Sequence, residues 1–319
     1  MPKVRIAVLD DYQAVALPMA DWSVLADKAE VTVFGDHLSD AEPLARRLAP
    51  FDVLCVMRER TPLPRALLQR LPQLKLIVST GMRNASIDLA AAKELGITVC
   101  GTHSGGFNAA ELTWALIMAA MRHIPEEQAN IRAGGWQTTI GRALEGKTLG
   151  IVGLGKLGAA VARYAQAFGM ELIAWSTNMT EEKAKAHGAR LVAKEQLFRE
   201  ADIVTVHLVL SERTRGIIGA RELALMKPTA LFVNTSRGPL ADEAALIDLL
   251  RRKAIAGAAL DVFGTEPLPA DHPFRSLDNV LATPHIGYVT QESYKQYYHE
   301  TVECIAAWLE KKPIRLMQI

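Results

Sequence analysis

The chain has little that would set it apart from ordinary globular proteins. Its 319 residues include only three cysteines. Cys55, Cys100 and Cys304 have no metal-type spacing, and an odd count without a framework suits a reducing compartment. Cys55 and Cys100 lie in apolar strand-like runs, where a thiol acts as a small buried hydrophobe. Charge of one sign is also missing. Thirty-six Lys and Arg stand against 35 Asp and Glu, so a net charge of +1 gives no electrostatic drive toward nucleic acid or an acidic membrane. No segment approaches the roughly 20 apolar residues of a membrane span. The apolar run in the opening MPKVRIAVLDD is too short for a signal peptide. Low-complexity segments and short repeats are absent. The expectation is a cytoplasmic protein with no metal site and neither nucleic acid nor membrane as partner.

What is present is apolar and well distributed. Hydrophobic residues make up 50% of the chain and charged residues 22%, enough material for about two domains at this length. Val4–Leu9, Val31–Phe34, Val53–Met57, Leu74–Val78 and Ile97–Cys100 are short apolar runs. Helix-like stretches lie between them at Ala41–Leu48, Arg65–Arg70 and Leu89–Leu95. Apolar runs alternating with helices predict a parallel sheet covered on both faces. A second series follows at Leu172–Trp175, Ile203–Leu208, Leu231–Asn234, Ala258–Val262 and Val280–Thr283, with helices at Glu181–His187, Arg221–Leu225 and Glu243–Arg252. The fold class is therefore α/β, with two doubly wound parallel-sheet domains. Asn108–Ile124 reads as one long helix with two apolar faces, Leu112/Leu116/Ala119 and Trp114/Met118/Met121. Two readings stay open for it: intradomain core, or a subunit interface that would make the protein a homodimer. Gln291–Lys311 is an amphipathic helix that can return to the first domain.

The second series opens on Thr148–Gly158, TLGIVGLGKLG. An apolar strand runs into Gly153, Gly155 and Gly158, the G-x-G-x-x-G spacing, and a helical stretch follows. Backbone N–H groups at such a helix start, with the helix dipole, favour a pyrophosphate. Gly153 allows the tight turn, Gly155 the approach of the phosphate, and Gly158 contact between helix and strand. Ligands in open α/β sheets sit beyond the carboxyl ends of the strands, and polar groups stand at such ends here. Arg237 follows Leu231–Ser236, Asp261 interrupts an apolar strand with Glu266 in the loop after it, and His285 follows Val280–Pro284. A buried Asp is costly unless paired or ligand-bound. Arg offers a planar fork to a carboxylate. His exchanges protons near neutral pH, and a carboxylate beside it orients the ring and favours its charged form.

KTLGIVGLGKLG, VNTSRGPLADEAAL, GAALDVFGTEPLP and TPHIG occur in the order and near the spacing found in the D-isomer-specific 2-hydroxyacid dehydrogenase family, which the chain resembles over nearly its whole length. AAELTWALIMAAMRHIP, and Arg58 after Val53–Met57, are similar in particular to D-3-phosphoglycerate dehydrogenases, in a short form without the regulatory extension that many of those carry. The resemblance implies a flavodoxin-like substrate domain over 1–101 and 288–319, with a Rossmann dinucleotide domain over 102–287 inserted in it. It implies that Arg237 holds the substrate carboxylate and carbonyl oxygen, that His285 exchanges the proton, and that Glu266 pairs with His285. Asp261 would accept from the nicotinamide amide. His207, Thr214, Thr235 and Gly287 would line the dinucleotide, and Lys156 and Leu157 would offer N–H groups to its pyrophosphate. The implied activity is reversible hydride transfer between NAD or NADP and a small D-2-hydroxy acid.

Two departures from the family pattern stand out. The substrate loop, usually G-x-G-x-D-N-I-D, is Gly81-Met-Arg-Asn-Ala-Ser-Ile-Asp88. Backbone groups of Gly81, Met82 and Arg83 can still meet a carboxylate, and the Arg83 side chain either adds a cation or points to solvent. Phosphoglycerate dehydrogenases commonly carry a basic residue just before this loop, where this chain has Ser79. The acid that ends the second Rossmann strand in NAD-specific members is replaced by Ser176. Its absence removes discrimination against a 2′-phosphate, yet no arginine follows and Lys183 is the nearest basic residue. Two rivals remain. One is a dinucleotide-sensing protein of the corepressor type, although no recruitment tail is evident. The other is formate dehydrogenase, disfavoured by Glu266 where that enzyme uses an amide.

Overall fold

The computed structural model describes residues 2–318, and the chain divides into two compact units, Met1–Gly106 with Val289–Ile319, and Phe107–Tyr288. In the first unit β1 (Val4–Val8), β2 (Ala29–Val33), β3 (Val53–Val56), β4 (Leu76–Ser79) and β5 (Thr98–Gly101) form one sheet in the order β2-β1-β3-β4-β5. Every pairing in it is parallel. That is the flavodoxin order, with its topological switch between β1 and β3. β3 and β4 are buried along their whole length, which is why they read as unbroken apolar runs rather than alternating ones. Leu48, Leu54, Leu63, Leu68 and Ile77 form the core on one face, and the helix Gln291–Leu309 packs against β4 and β5.

The second unit contains β6 (Thr148–Val152), β7 (Glu171–Trp175), β8 (Arg190–Leu191), β9 (Ile203–Val206), β10 (Leu231–Asn234), β11 (Gly257–Leu260) and β12 (Val280–Ala282). Their order is β12-β11-β10-β9-β6-β7-β8, again all parallel. The strand order reverses at β6, which pairs with β7 on one side and β9 on the other. That reversal is where a doubly wound sheet opens a crevice at its carboxyl edge. Separate cores cover the two faces. Phe198, Phe232, Leu240 and Leu250 lie in one, and Ile117, Ile151, Val161 and Val233 in the other.

Three local elements differ from the sequence reading. The helix that starts at Asn108 ends at Met121, and His123 takes a left-handed backbone (φ 50°). A separate helix, Ile124–Arg132, then begins with Pro125 in its first turn, where a proline costs no hydrogen bond. The apolar periodicity ran through the break because apolar side chains flank it on both sides. Ala110, Thr113, Leu116, Ile117 and Met121 of the first helix are buried within the unit, and Trp114 packs on the rings of Tyr164 and Phe168 at 6.1 and 5.0 Å. Finally, the two-residue β8 and the helix Lys194–Glu200 went unread. Only Leu197 and Phe198 of that helix are buried, too few for a periodic signal.

Candidate active site and nucleotide crevice

Asp261, at the carboxyl end of β11, is fully buried. Its backbone N–H donates to Asn234 O at 3.0 Å. Its carboxylate accepts three bonds from one short segment: Thr283 Oγ1 at 2.6 Å and the Ile286 N–H at 2.8 Å on Oδ1, and the Gly287 N–H at 2.8 Å on Oδ2. Burial pushes the carboxyl above its ordinary range, and these three donors oppose that shift. The segment they hold carries His285, whose backbone is left-handed (φ 52°) and whose N–H closes a tight turn onto Thr283 O at 2.9 Å. A non-glycine residue in that region is strained by an amount on the order of 1–3 kcal/mol and persists only where its surroundings over-determine it. Asp261 supplies that determination.

The same turn aims the His285 ring. Nδ1 lies 2.6 Å from Glu266 Oε2, which leaves Nε2 as the free nitrogen of the pair, and Tyr288 packs edge-on at 5.4 Å. Glu266 is itself fixed, because its Oε1 accepts the Phe263 N–H at 2.9 Å. The loop after β10 is packed onto this one. A Cβ on Gly238 would fall 2.1 Å from the carbonyl carbon of Phe263, so only glycine lets the Arg237–Gly238 backbone lie there. Asn234 shapes that loop by accepting the Ser236 N–H and donating to Arg237 O, both at 3.0 Å. Arg237 Nη1 donates to Ser236 O at 2.7 Å. The backbone therefore links Arg237, Glu266 and His285 through loops that touch.

At the strand reversal, Gly153 turns with φ 97° and Gly155 caps the helix Lys156–Ala167. The first intrahelical bond runs from the Ala159 N–H to Gly155 O. The N–H groups of Lys156, Leu157 and Gly158 consequently point out of the helix N-terminus. A Cβ on Gly158 would lie 2.1 Å from Gly153 O, whereas one on Gly155 would meet no protein atom within 4 Å. Gly158 is thus needed by the fold, and Gly155 faces space the protein leaves open. That space, in front of the free N–H groups, fits a dinucleotide pyrophosphate.

The other residues expected at the cofactor each have partners of their own. His207 follows β9, with Nε2 at 2.9 Å from Thr205 Oγ1, and burial lowers its pKa from 6.5 to about 4. Thr235 directs its hydroxyl onto Thr113 Oγ1 at 2.6 Å. The Thr214 hydroxyl closes its own turn, donating to Val209 O at 2.7 Å. Ser176 directly follows β7 and is half-buried. In the first unit, Gly81 (φ 92°) donates its N–H to Thr102 Oγ1 at 3.0 Å, and a Cβ there would fall 2.0 Å from Arg58 Nη1. The Arg58 guanidinium therefore lies along the Gly81 turn. Arg58 N–H donates to Thr80 Oγ1, and Asn84 Nδ2 donates to Arg58 O. Met82 and Arg83 are exposed, and among the described residues Arg83 makes no hydrogen bond or ion pair.

Residues 114–287 match the family described as D-isomer specific 2-hydroxyacid dehydrogenase, NAD binding domain. Relatives agree. A D-3-phosphoglycerate dehydrogenase of Methanocaldococcus jannaschii is 41% identical over 258 residues, covering 80% of this chain and 49% of the relative. A glyoxylate reductase of Aeropyrum pernix is 40% identical over 256 residues, covering 77% and 76%. The chain belongs to the D-isomer-specific 2-hydroxyacid dehydrogenase family. A crystal structure of a phosphoglycerate oxidoreductase from Vibrio cholerae superposes with a TM-score of 0.92 at 40% identity, covering 97% of this chain and 99% of that one. The chain spans about half the length of the phosphoglycerate dehydrogenase it matches.

Within this site, several supporting residues escaped the sequence reading. Thr283 stands two residues before His285 and could have been noticed for that reason. Thr113 could not, since 122 residues separate it from Thr235. Thr102 and Asn234 likewise act only through tertiary contacts.

Two outcomes follow from this geometry. Gly155→Ala keeps the wild-type thermal midpoint but weakens dinucleotide binding by about tenfold or more, since a methyl enters the open space at an allowed φ of −86°. Gly158→Ala lowers the midpoint as well. Fluorescence titration and scanning calorimetry separate the two. His207 is favoured neutral in the fold, so its contribution is full above pH 6.5 and is lost as pH falls toward about 4. Chemical denaturation at several pH values reads this, and His207→Gln flattens the slope in that window.

Proposed function

We propose that the protein interconverts a small D-2-hydroxy acid and its 2-keto acid with NAD or NADP. The observation that carries this reading is the His285–Glu266 pair at 2.6 Å, mounted in the same unit as the nucleotide turn. When bound, the reduced dinucleotide supplies hydride to the keto carbon. His285 donates a proton from Nε2 to the carbonyl oxygen and takes it back in the reverse direction. Glu266 on Nδ1 keeps that nitrogen turned outward and offsets the ring's positive charge. Arg237 presents its guanidinium to the substrate carboxylate and carbonyl oxygen. The N–H groups of Lys156 and Leu157, with Gly153, Gly155 and Gly158, hold the pyrophosphate. Asp261, His207, Thr214, Thr235 and Gly287 line the nicotinamide and ribose end.

In the first unit, backbone groups of Gly81, Met82 and Arg83 receive the carboxylate, and Arg58 adds the nearest fixed cation. Phosphohydroxypyruvate, hydroxypyruvate and glyoxylate are the substrates to try, since each is a short 2-keto acid. The dinucleotide-sensing alternative is not favoured: the proton-transfer pair is intact, and the relatives carry the names of dehydrogenases and reductases. Ser176 brings no negative charge to the ribose, which supports use of both dinucleotides.

The proposed assembly is a homodimer in the cytoplasm. The segment after the helix Ile124–Arg132 is pinned by Glu127, which accepts N–H and hydroxyl groups from Thr138 and Thr139, and these donors lower its pKa to about 2. So held, the segment keeps Trp136 and Ile140 in water, 72% and 92% exposed, and Ile124 and Ile131 of the preceding helix are exposed as well. Exposed apolar side chains on a pinned segment suit contact with a second copy. The three free, buried cysteines suit a reducing compartment. Among the described residues no helix is long and apolar enough to cross a membrane.

Three measurements test these statements. His285→Ala lowers kcat by about 10²–10⁴ with the best keto acid. Turnover near the wild-type value would remove His285 from the chemistry. NADH and NADPH give kcat/KM values within about tenfold, and Ser176→Asp selectively weakens NADPH, because a carboxylate repels the 2′-phosphate. Sedimentation finds a dimer at micromolar concentration, and Trp136→Glu with Ile140→Glu shifts it to monomer.

A further inference from the structure

The loop that carries Glu266 leaves the core at Phe263 and returns to it at Phe274. Both rings are buried, with centroids 6.2 Å apart. Ends this close make the segment between them a compact loop whose shape depends on what closes its neck. The polar closure is Glu243, the first residue of the helix Glu243–Arg251. Its Oε2 accepts the Gly264 N–H at 2.9 Å, and its Oε1 lies 3.3 Å from His272 Nε2. One carboxylate thus joins the start of the loop to its end. Arg275 fixes the far side, donating from Nε to Pro269 O at 2.8 Å and from Nη2 to Leu268 O at 2.6 Å.

Geometry assigns the donors and acceptors of this closure. His272 Nδ1 accepts the Phe274 N–H at 3.3 Å, so the ring proton is on Nε2 and is donated to Glu243. His285 has the opposite arrangement, with Nδ1 bonded to Glu266. The closure fits its neighbours tightly. A Cβ on Gly264 would lie 3.2 Å from either Glu243 oxygen, and one on Gly238 would lie 2.6 Å from Gly264 N. The Gly264 N–H is therefore packed between Glu243 and the backbone that follows Arg237. The N–H of the residue before it, Phe263, holds Glu266 Oε1 at 2.9 Å.

We infer that Glu243 is a positioning residue: with His272 it closes the loop between Phe263 and Phe274 and so holds Glu266 against His285. The inference rests on the reading of those last two residues as the proton-transfer pair. Glu243 acts through backbone. It fixes the Gly264 N–H, and with it the position of Phe263, whose own N–H meets Glu266 Oε1 and leaves Oε2 for His285 Nδ1. Without an acceptor at position 243 the Gly264 N–H turns to water, the neck opens, and Glu266 samples orientations that release Nδ1. A carboxylate suits the place twice over. It accepts two bonds at once, and in a first helical turn it is favoured by the helix dipole. Misplacing a reacting group by about 1 Å can lower turnover on the order of 10²-fold, so a bond outside the reacting atoms is visible in kcat.

The test combines magnetic resonance of histidine labelled at its ring nitrogens, which needs no substrate, with steady-state kinetics on the full chain. Spectra are taken at about pH 9, where an ordinary imidazole is neutral, and His272→Gln and His285→Gln assign the signals. In the wild type His272 carries its proton on Nε2 and His285 on Nδ1. Glu243→Ala leaves His285 as a mixture of both tautomers. Its kcat with the best keto acid falls by about 10- to 100-fold, while dinucleotide affinity stays at the wild-type value. Glu243→Gln, whose amide oxygen still accepts the Gly264 N–H, keeps the His285 proton on Nδ1 and restores most of kcat. Three results would overturn the assignment: a His272 proton on Nδ1 in the wild type, an unchanged His285 spectrum and kcat in Glu243→Ala, or a Gln variant as impaired as the Ala variant. The wild-type spectrum tests the closure even if a variant fails to fold. If the wild type reduces no keto acid while the tautomers and their response to Glu243→Ala hold, the proposed reaction falls and the positioning by Glu243 stands.

Discussion

One buried carboxylate organises the reactive end of the second unit. Asp261 has no solvent to stabilise its charge, so three donors must do so, and all three come from Thr283, Ile286 and Gly287. That need is met only if the segment between them turns sharply. His285 sits inside the turn with an unfavourable backbone and a ring directed at Glu266. The electrostatic demand of one group thus sets the position of His285, the residue proposed to move the proton. Rigid loops suit this task, because general acid–base catalysis depends on reach before it depends on pKa.

The nucleotide end uses backbone rather than side chains. Free N–H groups at one helix start face the open space before Gly155, and Gly158 keeps the helix close to the Gly153 turn. Recognition by backbone tolerates changes of side chain, so the proposed choice between dinucleotides falls to the position after β7. There Ser176 is neutral. In the first unit a cation is added instead: Arg58 occupies the place a side chain on Gly81 would take, so the Gly81 turn is presented together with a guanidinium.

Much of this was legible in the sequence, for identifiable reasons. Strands such as Val53–Val56 and Leu76–Ser79 are buried on both faces, so their apolar character needed no partner to be seen. Arg237, Glu266 and His285 are chemical residues at strand ends, which made them visible as candidates. Residues that act by holding others were silent. The Thr113 hydroxyl on Thr235 and the Thr102 hydroxyl on the Gly81 N–H join parts of the chain that only the fold brings together. The break at His123 was hidden because apolar side chains continue across it, and backbone sign leaves little trace in composition. Cys55 and Cys100 read as small buried hydrophobes, and both are buried.

In the proposed reaction this chain directs hydride to the second carbon of a keto acid. The most direct measurement supplies nicotinamide dinucleotide deuterated at C4, separately as its two stereoisomers, with glyoxylate, hydroxypyruvate or phosphohydroxypyruvate, and analyses the product by mass spectrometry. The expected product is a hydroxy acid carrying deuterium at C2 from one of the two labelled faces. Tight dinucleotide binding with no labelled product from any of these keto acids would contradict it.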